Sequence, residues 1–251
     1  MMEYHIPELA WKKILEFLKK CPDIQTDNEF SIRLFVESIW YIARTGCQWR
    51  LLPSIYGKWN SIYKRFKRWL NKGIIEKLFQ YFRTNSDTEF VMIDATIVRA
   101  QACAAGYRKD SQTQEALGRS RGGFSTKIHA LVDALGNPLD FILTGGQRNE
   151  ITQAENLIRN VYDATVIADR GYDSDAFVNH LSVKNCDCVI PPRKNRKYLR
   201  PYDAHTYKER HLIECFFGKI KYFRRIFSRF DKTASSYLGF LQFVSVLIWL
   251  R

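Results

Sequence analysis

The sequence predicts an α/β protein in which a mixed sheet with helices on its faces is preceded by a small all-helical domain. Over the first 85 residues the apolar side chains recur at helical spacing. Farther on, Phe90-Val91-Met92-Ile93 and Thr165-Val166-Ile167-Ala168 are unbroken apolar runs, the pattern of strands buried on both faces. Helical and strand patterns alternate after the first of these runs. A chain of 251 residues, 46% hydrophobic and 14% aromatic, can bury a sizeable core, which excludes disordered and low-complexity classes.

Each element has its own local reason. Ile6, Leu9, Ala10, Ile14, Phe17 and Leu18 define a first helix that Cys21-Pro22 ends. A second begins at Thr26 or Asp27 as N-cap and stops at Gly46. Trp49-Arg50-Leu51-Leu52-Pro53 is a break; a short helix from Trp59 to Leu70, both aromatic and basic, and another from Ile74 to Phe82 follow. Such a set fits a helix-turn-helix DNA reader, or a plain bundle whose lysines only solvate its surface. The linker Thr84–Thr88 separates a domain of residues 1–86 from one of residues 87–251. Beyond the first strand, Phe124–Leu143 reads as a hairpin turning at Leu135-Gly136-Asn137-Pro138. A helix over Ile151–Val161, the second apolar strand, a helix over Ser174–Val183 and a strand Cys188-Val189-Ile190 come next. Thr206–Ile226 reads as one long helix, and Tyr237–Leu250, interrupted by Gly239, Gln242 and Ser245 and too short to span a bilayer, as a buried closing helix.

Charge points to a polyanionic partner. The chain carries 39 Lys+Arg against 26 Asp+Glu, a formal +13 with pI near 9.5. Residues 1–86 hold +7, residues 87–192 hold −4 and residues 193–232 hold +9, so a mildly acidic middle lies between basic flanks. Basic flanks suit phosphate binding and central carboxylates suit metal ions. Six cysteines without CxxC spacing are expected as free cytosolic thiols, and the N-terminus lacks the apolar core of a signal peptide.

Both apolar strands meet an aspartate, Asp94 and Asp169, where open α/β sheets place ligands; each could also be a turn aspartate. Counted at about 100° per residue from Tyr207, Arg210, Glu214, Gly218 and Lys221 share one stripe of the long helix. Gly218 costs about 1 kcal/mol relative to Ala, which is easier to understand if something approaches that face. A solvated stripe of i,i+4 ion pairs is the plainer alternative. Asp94, Asp169 and Glu214, from two strands and a helix, suit two-metal phosphoryl transfer, for which hard oxygen donors favour Mg²⁺, with Mn²⁺ as a substitute. Arg193, Lys194, Arg196 and Lys197 form a basic segment studded with Tyr198 and Tyr202 that suits phosphates, as do Lys64, Arg65, Lys67 and Arg68.

At these residues the sequence resembles the DDE transposases of insertion sequences. Tyr207-x2-Arg210-x3-Glu214-x6-Lys221 matches the family's helix signature. Ile93-Asp94-Ala95-Thr96 and Ala168-Asp169-Arg170-Gly171-Tyr172-Asp173-Ser174 are similar to its two aspartate motifs. Ala95 stands where many relatives carry a second aspartate. Gly118–Gly123, Thr126–His129, Val132–Pro138 and Thr45-Gly46-x-Gln48-Trp49 extend the likeness over nearly the whole chain. The resemblance implies an RNase H-like core holding Asp94, Asp169 and Glu214, and a helical domain that recognises terminal inverted repeats. It further implies metal-dependent DNA cleavage and strand transfer, with Arg210 and Lys221 on phosphates and Tyr207 positioning DNA. Double-stranded DNA, a homodimer in the DNA complex, no membrane and a place on the nucleoid in a prokaryotic cytosol follow from the same likeness. An RNase H-like nuclease without strand transfer and an inactive DNA-binding protein are the rival readings.

Overall fold

The computed structural model describes residues 4–84, 86–105 and 115–251; the first three residues and Asn85, part of the expected leaderless start and of the expected linker, lie outside them. In chain order the helices and strands are α1 (Glu8–Lys19), α2 (Glu29–Thr45), α3 (Trp59–Asn71), α4 (Ile74–Arg83), β1 (Phe90–Ala100), β2 (Gly118–Ser120), β3 (Gly123–Val132), β4 (Pro138–Gly145), α5 (Ala154–Leu157), β5 (Thr165–Ala168), α6 (Asp175–Val183), β6 (Asp187–Val189), α7 (His211–Lys221), α8 (Arg224–Phe227), the two-residue strand β7 (Ser228–Arg229) and α9 (Ala234–Trp249). They form two compact units, Met1–Thr84 with Gln101–Gly106 and Ile220–Arg251, and Asn85–Ala100 with Tyr107–Lys219. Among the described residues no helix is long and apolar enough to cross a membrane.

The first unit is helical. Asn28, not Thr26 or Asp27, caps α2: its side chain accepts the Ser31 amide at 2.9 Å, and Gly46 ends the helix at φ 68°. The expected break after α2 consists of two 3-10 turns, Trp49–Leu51 and Ser54–Tyr56. The closing helix α9 is buried over most of its length and packs on α4. Phe66 of α3 stacks on Phe240 of α9 at 4.6 Å, with Trp49 within 6.0 Å of both rings. Arg225 sits in this apolar setting with 3% of its surface exposed. It donates to both Asp231 oxygens at 2.9 and 2.7 Å and to the Cys47 carbonyl at 3.0 Å, and lies 4.8 Å from the Phe240 ring. The Thr45–Trp49 motif is thereby fastened to the closing segment of the chain.

The second unit is built on the mixed sheet. Strand order is β2-β3-β1-β5-β6, with β4 also pairing β3. β1 runs antiparallel to β3, and parallel to β5 from Phe90↔Thr165 to Ile93↔Ala168. β5 and β6 are parallel, and β3 and β4 are antiparallel. The succession β4-β3-β1-β5-β6, antiparallel and then parallel, is that of an RNase H-like core. The β3–β4 hairpin turns where the sequence predicts: Asp133 Oδ1 accepts the amides of Leu135 and Asn137, and Gly136 takes φ 77°. α7 docks on this hairpin, with Phe216 stacked on Phe141 at 5.9 Å.

Three expectations are corrected, and one strand was not foreseen. β1 does not end at Asp94 but continues to Ala100, because β3 keeps pairing with it through Arg99↔Ser125. The helix expected over Ile151–Val161 is a 3-10 turn, Glu150–Gln153, followed by the single turn α5. β2, too short to show alternation, went unrecognised in the sequence. The long helix is three pieces: a 3-10 turn over Thr206–Arg210, then α7, then α8 after Phe223 takes extended backbone (ψ 108°).

Removing Asp231 leaves a buried guanidinium without its counter-charge. Asp231→Ala is expected to destabilise the protein by about 3–5 kcal/mol in urea denaturation, and Arg225→Met with Asp231→Leu to recover much of that loss.

Candidate active site

Parallel pairing of β1 and β5 stops at Ile93 and Ala168, so Asp94 and Asp169 are the next residues on neighbouring strands. Asp94 Oδ1 accepts the Ala95 amide at 2.7 Å, and Asp169 Oδ1 accepts the Gly171 amide at 2.8 Å, capping the turn Arg170–Tyr172. Glu214 lies in the first turn of α7. Arg210, last residue of the 3-10 turn that packs on β5, donates to Asp94 Oδ2 at 3.1 Å and also to Glu214 Oε1. The Arg210 guanidinium thus bridges the first and third carboxylates.

The electrostatics of the group is that of an incompletely neutralised acidic centre. Burial pushes the Asp94 carboxyl up to about 6, against the pull of the Ala95 amide and Arg210, and the carboxylates of Asp169 and Glu150 add to the rise. Tyr172 is 1% exposed, and among the described residues its hydroxyl has no hydrogen-bond partner. Its pKa is raised by burial and by the charges of Asp94, Glu150 and Asp169. Glu150 itself pairs with the buried Lys127 at 3.0 Å. His129, buried with Nε2 2.8 Å from Thr144 Oγ1, is pushed down to about 4 by burial and by Lys127, so it is neutral at pH 7.

Three carboxylates, an orphaned buried hydroxyl and a raised carboxyl pKa fit a hard divalent cation in donor chemistry. As they stand, no three His, Cys, Asp or Glu side chains among the described residues converge closely enough to enclose an ion. Arg210 is what lies between Asp94 and Glu214.

The other expected residues divide into exposed and engaged. Tyr207 is half-buried, its ring 5.7 Å from that of Tyr202 and 5.9 Å from the Arg210 guanidinium. Lys221 closes α7 two turns beyond Glu214 and is half-buried, which lowers its pKa. Gly218 is exposed, and a Cβ added there would meet nothing within 4 Å. On α3, Lys64 and Arg68 are exposed, whereas Arg65 lies over Phe35 at 4.6 Å and Lys67 donates to Ser236 Oγ at 3.0 Å. In the basic segment Lys194 and Lys197 are exposed, while Arg193 and Arg196 are hydrogen-bonded to the turn after β5. Sequence reasoning missed Glu150, Lys127 and the hydroxyl of Tyr172. Their proximity depends on how β3 and the turn Glu150–Gln153 meet the turn Arg170–Tyr172, which no local spacing encodes.

Residues 6–79 match a family described as "Putative transposase of IS4/5 family", and residues 85–206 and 166–251 match two families described as "Transposase DDE domain". A relative in Brucella ovis, described as a "Putative transposase for insertion sequence element IS6501", is 40% identical over 131 residues, 51% of this chain and 99% of that protein. The chain belongs to the DDE transposases of insertion sequences. A further transposase relative, for the element IS402 of Burkholderia cepacia, is 31% identical over 142 residues, covering 52% of this chain and 64% of that one. Among solved structures, the piggyBac transposase synaptic complex with hairpin DNA aligns with 12% identity and TM-score 0.38 over 76% of this transposase and 42% of that chain. The catalytic domain of Mos1 mariner transposase aligns with 12% identity and TM-score 0.29 over 74% and 91%. The fold of this transposase rests on its own strand order rather than on those overlaps.

Because the Asp94 carboxyl lies above its ordinary 3.8 in the folded protein, its ionisation opposes folding. That cost is absent below about pH 4 and complete above about pH 6. In chelator, Asp94→Asn should raise the melting temperature near pH 7.5, by about 2–4 °C per kcal/mol relieved, and leave it unchanged near pH 4. Thermal scans at the two pH values check the sign.

Proposed function

We propose that this transposase cuts double-stranded DNA at the terminal inverted repeats of its element and joins the freed 3′ hydroxyl to target DNA in the cytosol. Asp94, Asp169 and Glu214 are the catalytic, cation-holding carboxylates, and Mg²⁺ is the working ion, with Mn²⁺ as a substitute. The observation that carries this reading is the delivery of Asp94 and Asp169 by neighbouring strands at the point where β1 and β5 stop pairing, with Glu214 joined to Asp94 through Arg210. When bound, divalent cations supply Lewis acidity to the attacking and leaving oxygens of an in-line displacement.

The chain's own residues account for the rest. At neutral pH Asp94 is ionised and held by Arg210. Arg210 has five N–H donors, so an arriving phosphodiester can take over some of its hydrogen bonds and leave the carboxylates free. Tyr207, one turn earlier, lies beside Arg210 and positions the strand to be cut. Buried Tyr172 brings an unsatisfied hydroxyl into the field of Asp94, Glu150 and Asp169, and Lys127 pairs with Glu150. Lys221 contacts phosphate. In the basic segment Lys194 and Lys197 supply exposed charge, with Arg193 and Arg196 bracing them.

End recognition belongs to the helical domain of residues 1–86, completed by the closing helices that pack in the same compact unit. There Lys64 and Arg68 bind phosphates, while Arg65 and Lys67 brace α3 through Phe35 and Ser236. A homodimer on DNA is expected because two ends are joined in one event.

Cleavage of a labelled duplex bearing the element's ends is expected with Mg²⁺ or Mn²⁺, and to fall to the chelator background in Glu214→Gln. Cleavage without joined products supports a nuclease lacking strand transfer; binding without cleavage under either ion supports an inactive DNA-binding protein. Replacing Lys64 and Arg68 by Gln should flatten the slope of log affinity against log salt by about 0.9 for each phosphate that is no longer neutralised. The same exchange at Arg65 and Lys67 is expected to lower thermal stability as well.

A further inference from the structure

Asp173, four residues beyond Asp169, is the anchor of the basic segment. Its carboxylate is fully buried, with 0% of the side chain exposed. One oxygen accepts the Arg193 amide at 2.7 Å and Arg196 Nε at 2.5 Å; the other accepts Arg200 Nη2. Asp175 takes a second hydrogen bond from Arg196, Nη1 to Oδ1 at 2.6 Å, and lies 3.9 Å from Arg200 Nη1. Arg193 turns its own guanidinium back onto the same turn, donating to the Gly171 carbonyl at 2.8 Å and reaching the Arg170 carbonyl at 3.5 Å. All three arginines of the segment therefore grip residues 170–175. Burial alone would raise the Asp173 carboxyl, but Arg196, the Arg193 amide and Arg200 outweigh it and hold it below the usual carboxylate range.

This arrangement has two consequences. No helix or strand lies between β6 and the turn at Thr206, so the segment lacks the main-chain ladder that would fix it, and its placement depends on these side-chain bonds. The two guanidinium charges of Arg196 and Arg200 are matched by Asp173 and Asp175, whereas Arg193 meets only the neutral carbonyls of Arg170 and Gly171, so the segment's outward charge is that of the exposed Lys194 and Lys197 together with Arg193.

We propose that Asp173 is a positioning residue for the DNA-cutting reaction: it ties the segment Arg193–Arg200 to the turn that begins at Asp169, so that Lys194 and Lys197 hold DNA in fixed register with that carboxylate. The proposal rests on Asp169 being catalytic and on those lysines touching DNA, and its test has an arm independent of both.

The whole protein is compared with Asp173→Asn, Asp173→Glu and Arg200→Gln. Without DNA or cation, limited trypsin digestion should cut after Lys194, Arg196 or Lys197 about tenfold faster in Asp173→Asn. Arg200→Gln, which keeps the Arg196 pair, should show a smaller acceleration in the same stretch, and digestion elsewhere should be unchanged. On duplexes bearing the element's ends, the single-turnover rate at saturating protein should fall about tenfold or more in Asp173→Asn, whereas the half-saturating concentration changes less than about threefold. Asp173→Glu should recover part of the rate. Unchanged digestion in both Asp173→Asn and Arg200→Gln removes the tether. Faster digestion with an unchanged saturating rate, or a loss seen only in the half-saturating concentration, removes the positioning role. If Asp173→Asn does not fold, Arg200→Gln decides alone by the same two readouts. A wild type that never cuts DNA removes the catalytic reading and the positioning role with it, while the digestion result still decides the tether.

Discussion

Where two parallel strands stop pairing, their next residues are held side by side with backbone amides left to satisfy, and in this transposase both of those residues are aspartates. Ile93 and Ala168 form the last pair of β1 and β5; Asp94 and Asp169 follow, each accepting a nearby backbone amide. The geometry buries a carboxyl and, to a lesser degree, sets like charges beside it, which is costly, and both effects raise the Asp94 carboxyl. Arg210 offsets part of that cost by bonding to Asp94 and Glu214 at once. The remaining groups nearby follow the same logic: Lys127 neutralises Glu150, and the buried Tyr172 hydroxyl stays protonated in the field of Asp94, Glu150 and Asp169.

The helical unit solves a different problem, how to fasten the short connection between the end of α2 and the 3-10 turn at Trp49. Trp49 lies among aromatic rings, Phe66 and Phe240, and the Arg225 guanidinium stacks on Phe240 while bonding the Cys47 carbonyl. A cation buried on ring faces is tolerable only because Asp231 meets it with two oxygens. The motif Thr45–Trp49 therefore has a structural role, and the exposed charges of α3 are carried on a helix that packs on α9 through Phe66 and Lys67.

Much of this was legible in the sequence. Helices α1 to α4, the hairpin turn, the two apolar strands and the closing helix all declare themselves through apolar periodicity, caps and turn residues, and these are local signals. The pairing of Asp94 with Asp169 could be anticipated from two apolar runs meeting aspartates, and Glu214 from its spacing to Arg210. What failed to show depended on tertiary pairing. β1 continues past Asp94 because β3 is there to pair with it, and Arg225 and Asp173 are buried because distant segments close over them. The helix signature from Tyr207 to Lys221 was read as one regular helix, yet its first turn is 3-10, since Asp203 accepts the Thr206 amide and hydroxyl and tightens the entry. Counting basic residues likewise overstated the charge available to DNA, because counting cannot distinguish an arginine that meets solvent from one that meets an aspartate.

The composition of the helical unit has a consequence for synthesis on the ribosome. α1 to α4 emerge well before α9, so the surface of α4 that α9 covers stays bare until α9 has been made. The residues of the sheet-bearing unit, by contrast, are complete once Lys219 has cleared the exit tunnel. The unit that begins earlier is thus finished later, because its apolar helix α9, buried from Ser236 to Ile248 at most positions, follows the whole sheet-bearing unit in the chain. Vectorial production therefore delays the completed helical unit until α9 has left the exit tunnel, and a ribosome that stalls beyond the sheet but short of α9 yields a chain with an exposed apolar surface on α4, a natural target for chaperones and proteases.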